Sequence, residues 1–466
     1  MTSTTRVVVI GGGMAGARLA RQLTAAPAGA GAAVDAAVTV TVIGEEPHPP
    51  YNRVLLAEVL AGRYAPEVIA LPAPGSGVRR LSGVRAVRID RDARRVLCDD
   101  GQDVPYDILV LATGANPVLP PLRGLFTPGR GDLPDGVHPF RTMDDCRALA
   151  AAARPGAPVV VIGGGLLGVS AARALAGRGA QVVLAHQGEH LMERHLDTDA
   201  AALLGKHMAA LGIEVHTECR VRGIETGPQK PAPESAEASP AAPATRAVRA
   251  VELADGFRLD AELVVLACGV RPRTGLAQAA GLDVGRGIRV DDTLRTSDPR
   301  IFAIGDCAEH NGTVYGLAGA AQEQADVLAR VLTEAPSGPA TPAAPRTAPY
   351  TGTRALTRLT LASQEAPVTA PSTGTTAPTG PTNHPSFPFD LAAFGETTPL
   401  PGDDVVRLSD ATRTSYRKVV VRGDRLVGGI LLGDLGTVGA LARTWEGDEP
   451  LPAAPLLHLL TTDGGF

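Results

Sequence analysis

Two glycine clusters hold the residues whose spacing could do chemistry. The first, Gly11-x-Gly13-x-x-Gly16, follows the apolar run Val7–Ile10. The second, Gly163-x-Gly165-x-x-Gly168, follows an equally apolar PVVVI. Strand, glycine turn and helix in that order form a dinucleotide fingerprint. The first glycine allows the tight turn, the second lets the backbone approach a pyrophosphate, and the third lets the helix lie against the strand. The helix N-terminus then offers free N–H groups and partial positive charge to phosphate. A lone match also fits a glycine turn without ligand. Two matches in one chain point to two dinucleotides, and so to hydride passing from one to the other.

Other residues fall into place around this pair. The strand expected at Val38–Ile43 ends in Gly44-Glu45-Glu46, where an adenosine ribose needs an acceptor, so Glu45 is the candidate. Its interval from Gly16 exceeds the usual ~20 residues because an Ala/Gly-rich stretch, Ala25–Ala37, intervenes. The other reading of Glu45 is a solvated loop carboxylate. Arg53 has the type to reach phosphate or flavin, and equally that of a surface arginine. Ala112-Thr113-Gly114 and Gly269 are small-residue corners that allow close backbone approach. In IFAIGDCAEH, Gly305-Asp306 closes a strand, where the aspartate can accept hydrogen bonds from a cofactor's sugar-alcohol chain.

Beyond the second fingerprint, the strand-end position about 18 residues past Gly168 is His186, not an acid, and Arg194 lies a few residues on. An acid there suits NADH and an arginine suits the 2′-phosphate of NADPH, so the choice stays open. His186, His190 and His195 match no common zinc spacing, and no metal site is expected.

The elements that must position these residues are those of an α/β fold. Two Rossmann-like dinucleotide-binding domains are expected, the second inserted in the first, with a small α+β C-terminal domain. The first nucleotide domain spans 1–120 and 285–333. The second spans 140–284, with a disordered low-complexity loop at 227–246. A linker at 334–348 leads to the C-terminal domain, 349–466, which carries a low-complexity insertion at 364–388. Runs at Val84–Asp90, Arg95–Cys98 and Tyr106–Leu111 read as a meander. Tyr416–Arg422, Gly423-Asp424 and Arg425–Leu432 read as a hairpin.

At 466 residues the chain has ample material for a core, and its net charge of -5 argues against a nucleic-acid surface. The opening residues run straight into the first strand, so no signal peptide is expected. The uncharged stretch Pro155–Ala172 is better explained by the second fingerprint than by a membrane span. Five scattered cysteines (Cys98, Cys146, Cys219, Cys268 and Cys307) fit a reducing cytoplasm.

The order GxGxxG, ATG, GxGxxG, GDC over residues 6 to about 333 resembles the pyridine-nucleotide-disulfide oxidoreductase superfamily. The resemblance implies FAD at Gly11, Gly13, Met14, Ala15, Gly16, Glu45, Ala112, Thr113, Gly114 and Asp306. Arg53, Val84 and Gly305 are placed in the same set. It implies NADH or NADPH at Gly163, Gly165, Leu166, Leu167 and Gly168, with His186 and Gly269 added. GEEPHPPYNRVLLAEVLAG, HLMERHLD and LRTSDPRIFAIGDCAEHNGTVYGL are similar to the flavin part of assimilatory nitrite reductases. They are also similar to the electron-transfer subunit of assimilatory nitrate reductases. The C-terminal hairpin region is similar to the tail domain of that subunit and of rubredoxin reductases. Two departures stand out. Ser170 occupies a position that is often Glu, and the chain ends at Phe466 without the cysteine clusters of nitrite reductases. It is therefore expected not to reduce nitrite alone.

The implied function is electron transfer from NAD(P)H through FAD to a separate metalloprotein in the cytoplasm, with no catalytic side chain. That partner would be a molybdopterin nitrate reductase or an iron–sulfur/sirohaem nitrite reductase. The alternative is a reductase for a small iron–sulfur carrier, rubredoxin or ferredoxin. A thiol enzyme would need a cysteine near residue 50, whereas the first is Cys98. A nucleotide-sensing protein without turnover is the reading from another class. No nucleic-acid or membrane partner is expected, and the oligomeric state is left open, a homodimer included.

Overall fold

The structure is a computed structural model that describes residues 4–25, 38–73, 75, 77–126, 131–228, 246–334, 348–354, 356–361, 389–410, 412, 414–433, 435–452 and 455–460. Residues 26–37, 229–245, 335–347 and 362–388 lie outside this set. They hold most of the expected Ala/Gly stretch, the loop 227–246, the linker 334–348 and the insertion 364–388.

The chain divides into two compact units. Residues 1–56, 64–116 and 270–355 form the first; residues 57–63, 117–269 and 356–466 form the second. In the first, a five-stranded sheet runs in the order Ile301–Ala303, Ile108–Leu111, Thr5–Ile10, Val38–Gly44, Val78–Ser82. All its pairings are parallel, with Ile10 level with both Ile43 and Leu111. Val7–Ile10 and Leu109–Leu111 are buried on both faces, as the strands of a covered parallel sheet must be. Helix Met14–Thr24 packs beside helix Ala318–Glu334 and is tied to it by Arg18, whose guanidinium donates to Asp326 at 2.5 and 2.7 Å.

Two expectations change here, and one strand is added. The meander is made of Ala86–Asp90, Arg95–Cys98 and Asp103–Pro105, while Ile108–Leu111 belongs to the parallel sheet. Buried on both sides, that strand has the composition of a central position rather than of a half-exposed meander. The edge strand Val78–Ser82 escapes sequence reading because three of its five residues are exposed polar groups. Residues 270–284, expected with the nicotinamide segment, fall in the first unit, where Ala277 and Leu282 join its core.

The second unit repeats the plan. Its parallel strands run in the order Glu214–His216, Gln181–Ala185, Pro158–Ile162, Leu263–Leu266, Val137–Pro139. Helix Met143–Ala152 opens on a capping box in which Thr142 and Asp145 satisfy each other's backbone N–H groups. The strands Val221–Pro228, Arg246–Leu253 and Arg258–Asp260 form a separate antiparallel sheet. Toward the C-terminus, five antiparallel strands carry helix Val438–Gly447, whose Trp445 ring packs on the Phe394 ring of strand Asp390–Gly395 with centroids 5.2 Å apart. The expected hairpin is there, as Ser415–Arg422 and Arg425–Gly433 about Gly423 at φ 63°. The architecture is α/β with parallel nucleotide-type sheets and an α+β C-terminal part.

Candidate dinucleotide sites

The two glycine turns have the same construction. Gly11 sits at φ 116°, and a Cβ there would collide with the Ala112 carbonyl oxygen; Gly163 sits at φ 113° against Ala267 in the same way. A Cβ on Gly16 would strike the Gly11 carbonyl, and one on Gly168 the Gly163 carbonyl. Gly13 and Gly165 face open space. The backbone bonds are duplicated too. Gly11 N–H donates to Ile43 at 2.8 Å and Gly163 N–H to Ala185 at 2.9 Å. Ala112 N–H donates to Ile10 at 2.8 Å and Ala267 N–H to Ile162 at 2.9 Å. First and third glycines are thus demanded by packing, and the second leaves room for a ligand.

Each turn delivers a helix whose N-terminus is unused. Neither Gly13 nor Gly165 makes a side-chain cap, and neither first turn holds an acid. Met14, Ala15 and Leu166, Leu167 therefore carry N–H groups suited to phosphate. The corner glycines complete the likeness: Gly114 at φ 71° and Gly269 at φ 95° both face open space.

In the first unit, Gly305 at φ 77° turns the chain after strand Ile301–Ala303, so that Asp306 stands partly exposed at its end. The Gly305 N–H donates to Gln324 Oε1 at 2.7 Å, and Gln324 Nε2 donates to the Tyr350 hydroxyl at 3.2 Å. The Thr113 hydroxyl donates to the Arg273 carbonyl at 2.8 Å, and Val84 N–H to Gly44 at 3.0 Å. Of the two acids after the second strand, Glu46 accepts Tyr51 Oη and Arg53 Nη2, both at 2.6 Å. Burial raises its pKa, but Arg53 and Tyr51 outweigh that and hold the carboxyl below its usual range. Glu45 is half-exposed and is reached by Arg273 Nη1 at 2.6 Å. Arg53 is mostly covered and lies over the Tyr51 ring at 5.0 Å. Burial disfavours its charge, yet Tyr51, Glu46 and Asp306 more than restore it. Arg53 is a fixed cation within the field of Asp306, not a free surface arginine.

In the second unit, His186 Nδ1 accepts the Gly164 N–H at 3.1 Å, and burial lowers its pKa. Ser170 turns its hydroxyl back to the Leu166 carbonyl at 2.7 Å. His190 and His195 join no group of three or more metal-ligating side chains among the described residues. All five cysteines are free, and burial pushes every thiol up, Cys146 and Cys268 to about 11. A redox-active nucleophile needs the reverse shift.

The residues present fit FAD in the first unit. A Cβ on Gly11 or Gly16 would strike backbone, Gly13 is left open, the helix N-terminus has no side-chain cap, and the strand-end acid is partly exposed. Sequence reading missed Glu46, Tyr51, Arg273 and Gln324. None carries a local signal, because each acts on a residue remote in the chain or ambiguous beside it. No helix among the described residues is long and apolar enough to cross a membrane.

Fold and sites together define a protein with two dinucleotide-binding sheets of the same design. Residues 5–325 match the family model described as pyridine nucleotide-disulphide oxidoreductase, and 386–444 match the rubredoxin NAD+ reductase C-terminal domain. The chain belongs to the pyridine nucleotide-disulphide oxidoreductase family and is by class an NAD(P)H-dependent flavoprotein oxidoreductase with FAD as cofactor. It is 31% identical over 442 residues to the nitrite reductase [NAD(P)H] of Bacillus subtilis (strain 168), covering 92% of this chain and 46% of that one. It is 35% identical over 328 residues to the assimilatory nitrate reductase electron transfer subunit of the same organism, covering 70% and 38%. The chain thus spans less than half the length of these curated relatives. Among solved structures, the putidaredoxin reductase–putidaredoxin complex matches with TM-score 0.74 at 23% identity, covering 98% of each chain. The ferredoxin reductase from Rhodopseudomonas palustris matches with TM-score 0.73 at 24% identity, covering 99% and 98%. These two likenesses are of fold.

Proposed function

We propose that this chain takes electrons from NADH or NADPH and passes them through FAD to a separate metalloprotein in the cytoplasm. The favoured acceptor is an assimilatory nitrate or nitrite reductase. The observation that carries the reading is the duplicated glycine geometry: two phosphate cradles in one chain, only the first of which is joined by a strand-end aspartate, Asp306. The nitrate and nitrite assignment is supported by the names of the two Bacillus subtilis relatives. A reductase for a small iron–sulfur carrier is the second reading, favoured by the match at 386–444.

In this reading Gly11, Gly13, Met14, Ala15 and Gly16 receive the FAD pyrophosphate, and Glu45 the adenosine ribose. Asp306 takes the sugar-alcohol chain. Val84, Ala112, Thr113, Gly114 and Gly305 line the approach. Gly163, Gly165, Leu166, Leu167, Gly168, His186 and Gly269 receive NAD(P)H. FAD, when bound, supplies two-electron and one-electron redox chemistry, so a hydride donor can serve one-electron acceptors. Arg53 holds a positive charge beside that cofactor, kept in place by Glu46. Gln324 fixes the turn that aims Asp306. No side chain is asked to act as acid or base, and the cysteines are left out, consistent with their raised pKa values.

An anaerobic absorbance titration of the purified protein tests this. Bleaching of a flavin spectrum by NADH or NADPH is expected, followed by reoxidation on adding nitrate reductase or nitrite reductase. A flavin that no nucleotide bleaches would leave a sensing protein. Reoxidation by rubredoxin or ferredoxin alone would favour the second reading.

A further inference from the structure

The end of strand Gln181–Ala185 holds no acid, yet a carboxylate reaches the same place from farther along the chain. Met192 N–H donates to the Gly164 carbonyl at 2.9 Å, which lays the segment after the strand against the second glycine turn. Leu191 and the His186 ring bracket Gly164 so closely that a Cβ there would come within 2.7 Å of each. Glu193 follows directly. Its Oε1 accepts the Glu189 N–H at 2.8 Å, and a Cβ on Gly188 would collide with the carboxylate. Its Oε2 lies 4.0 Å from His186 Nε2, and the side chain is 41% exposed. One oxygen is anchored and the group still meets solvent.

The imidazole adds no positive charge. Nδ1 accepts the Gly164 N–H, so the proton sits on Nε2, a buried donor with no hydrogen-bond partner among the described residues. The next cation along the chain, Arg194, is exposed. A ribose 2′-hydroxyl arriving beside the strand end meets an acceptor. A 2′-phosphate there meets a held carboxylate and a neutral ring.

Resting on the reading of the second fingerprint as the nicotinamide-nucleotide site, we propose that Glu193 accepts the adenosine ribose 2′-hydroxyl in place of a strand-end acid, so that this chain selects NADH over NADPH. Gly188 is then required to seat Glu193, and His186 is the spacer that holds the strap on the turn.

The test is calorimetric titration of the purified protein with ADP-ribose and with 2′-phospho-ADP-ribose, which need no turnover. ADP-ribose is expected to bind about tenfold tighter or better, from removal of one like-charge contact. Glu193→Gln should bring the two ligands within about threefold, and Arg194→Ala should leave the wild-type ratio in place. If Glu193→Gln fails to fold by its melting curve, Glu193→Ser is read instead. Equal binding by wild type, tighter binding of the phosphorylated ligand, or an unchanged ratio in Glu193→Gln would overturn this inference alone. Binding of neither ligand would overturn the nucleotide site itself and this inference with it.

Discussion

Gln324 takes the backbone N–H of Gly305 into its amide oxygen at 2.7 Å, and through that bond helix Ala318–Glu334 sets the direction of the turn bearing Asp306. Gly305 takes φ 77° without the clash a Cβ would bring to that conformation, and the bond to Gln324 gives its N–H a partner. Replacing Gln324 by Leu should leave this N–H unpaired at a cost of about 1–3 kcal/mol. FAD affinity should fall with it, read by equilibrium dialysis of the flavin. A variant that keeps wild-type flavin affinity would show that the bond does not position Asp306.

The three glycines of the first fingerprint should respond differently to a methyl group. Gly16→Ala meets the Gly11 carbonyl and is expected to lower the melting temperature and abolish bound flavin. Gly13→Ala meets no atom within 4 Å, so it should melt like wild type yet bind FAD more weakly. Comparing melting curves with flavin content checks the split. Equal melting of the two variants would contradict the cradle.

Arg173 is buried in the second fingerprint helix, and its guanidinium pairs with Glu58, itself mostly covered. Burial lowers the arginine pKa against the pull of Glu58. Glu58→Gln strands a buried cation and should cost about 3–5 kcal/mol, whereas Glu58→Leu with Arg173→Met should recover much of that. Chemical denaturation of the single and double variants measures it. A double variant no better than the single would refute the pairing argument.

Asp107 accepts Arg6 through its backbone N–H at 2.9 Å and its guanidinium at 2.9 and 2.8 Å, joining two neighbouring strands of the first sheet. The Arg6 hydrogen bond holds its carboxyl at about 2, below the ordinary 3.8. The folded pKa is depressed, so the stabilisation is present above the unfolded value and is lost as pH falls through the folded one. Asp107→Asn should therefore melt below wild type at pH 6, and the gap should close between about pH 4 and pH 2. A gap independent of pH in that range would assign the loss to packing instead.

Much of the design is legible in the residues themselves. The fingerprints can be read because their steric demand is local: Gly11 and Gly16 collide with the backbone of their own turn or of the adjacent strand, and only glycine meets that demand. The hairpin about Gly423 is legible because apolar runs flank a two-residue turn whose φ of 63° suits glycine. The edge strand Val78–Ser82 is not, since its exposed arginines show no period-two apolar pattern, and Ile108–Leu111 names its composition but not its neighbours.

What the chain determines alone is the pair of strand-turn-helix units and the strand-end Gly305-Asp306, because contacts within about six residues decide backbone conformation there. Which side chains tune them is a matter of tertiary structure. Arg53 could be a surface group until Glu46, Tyr51 and Asp306 surround it. His186 could face solvent until the segment ending at Glu193 folds back over Gly164. The turn bearing Asp306 and the setting of Glu45 depend in the same way on the bonds of Gln324 to Gly305 and Arg273 to Glu45, 19 and 228 residues apart. Side chains that distant meet only once the sheets have formed, and no local spacing encodes the meeting.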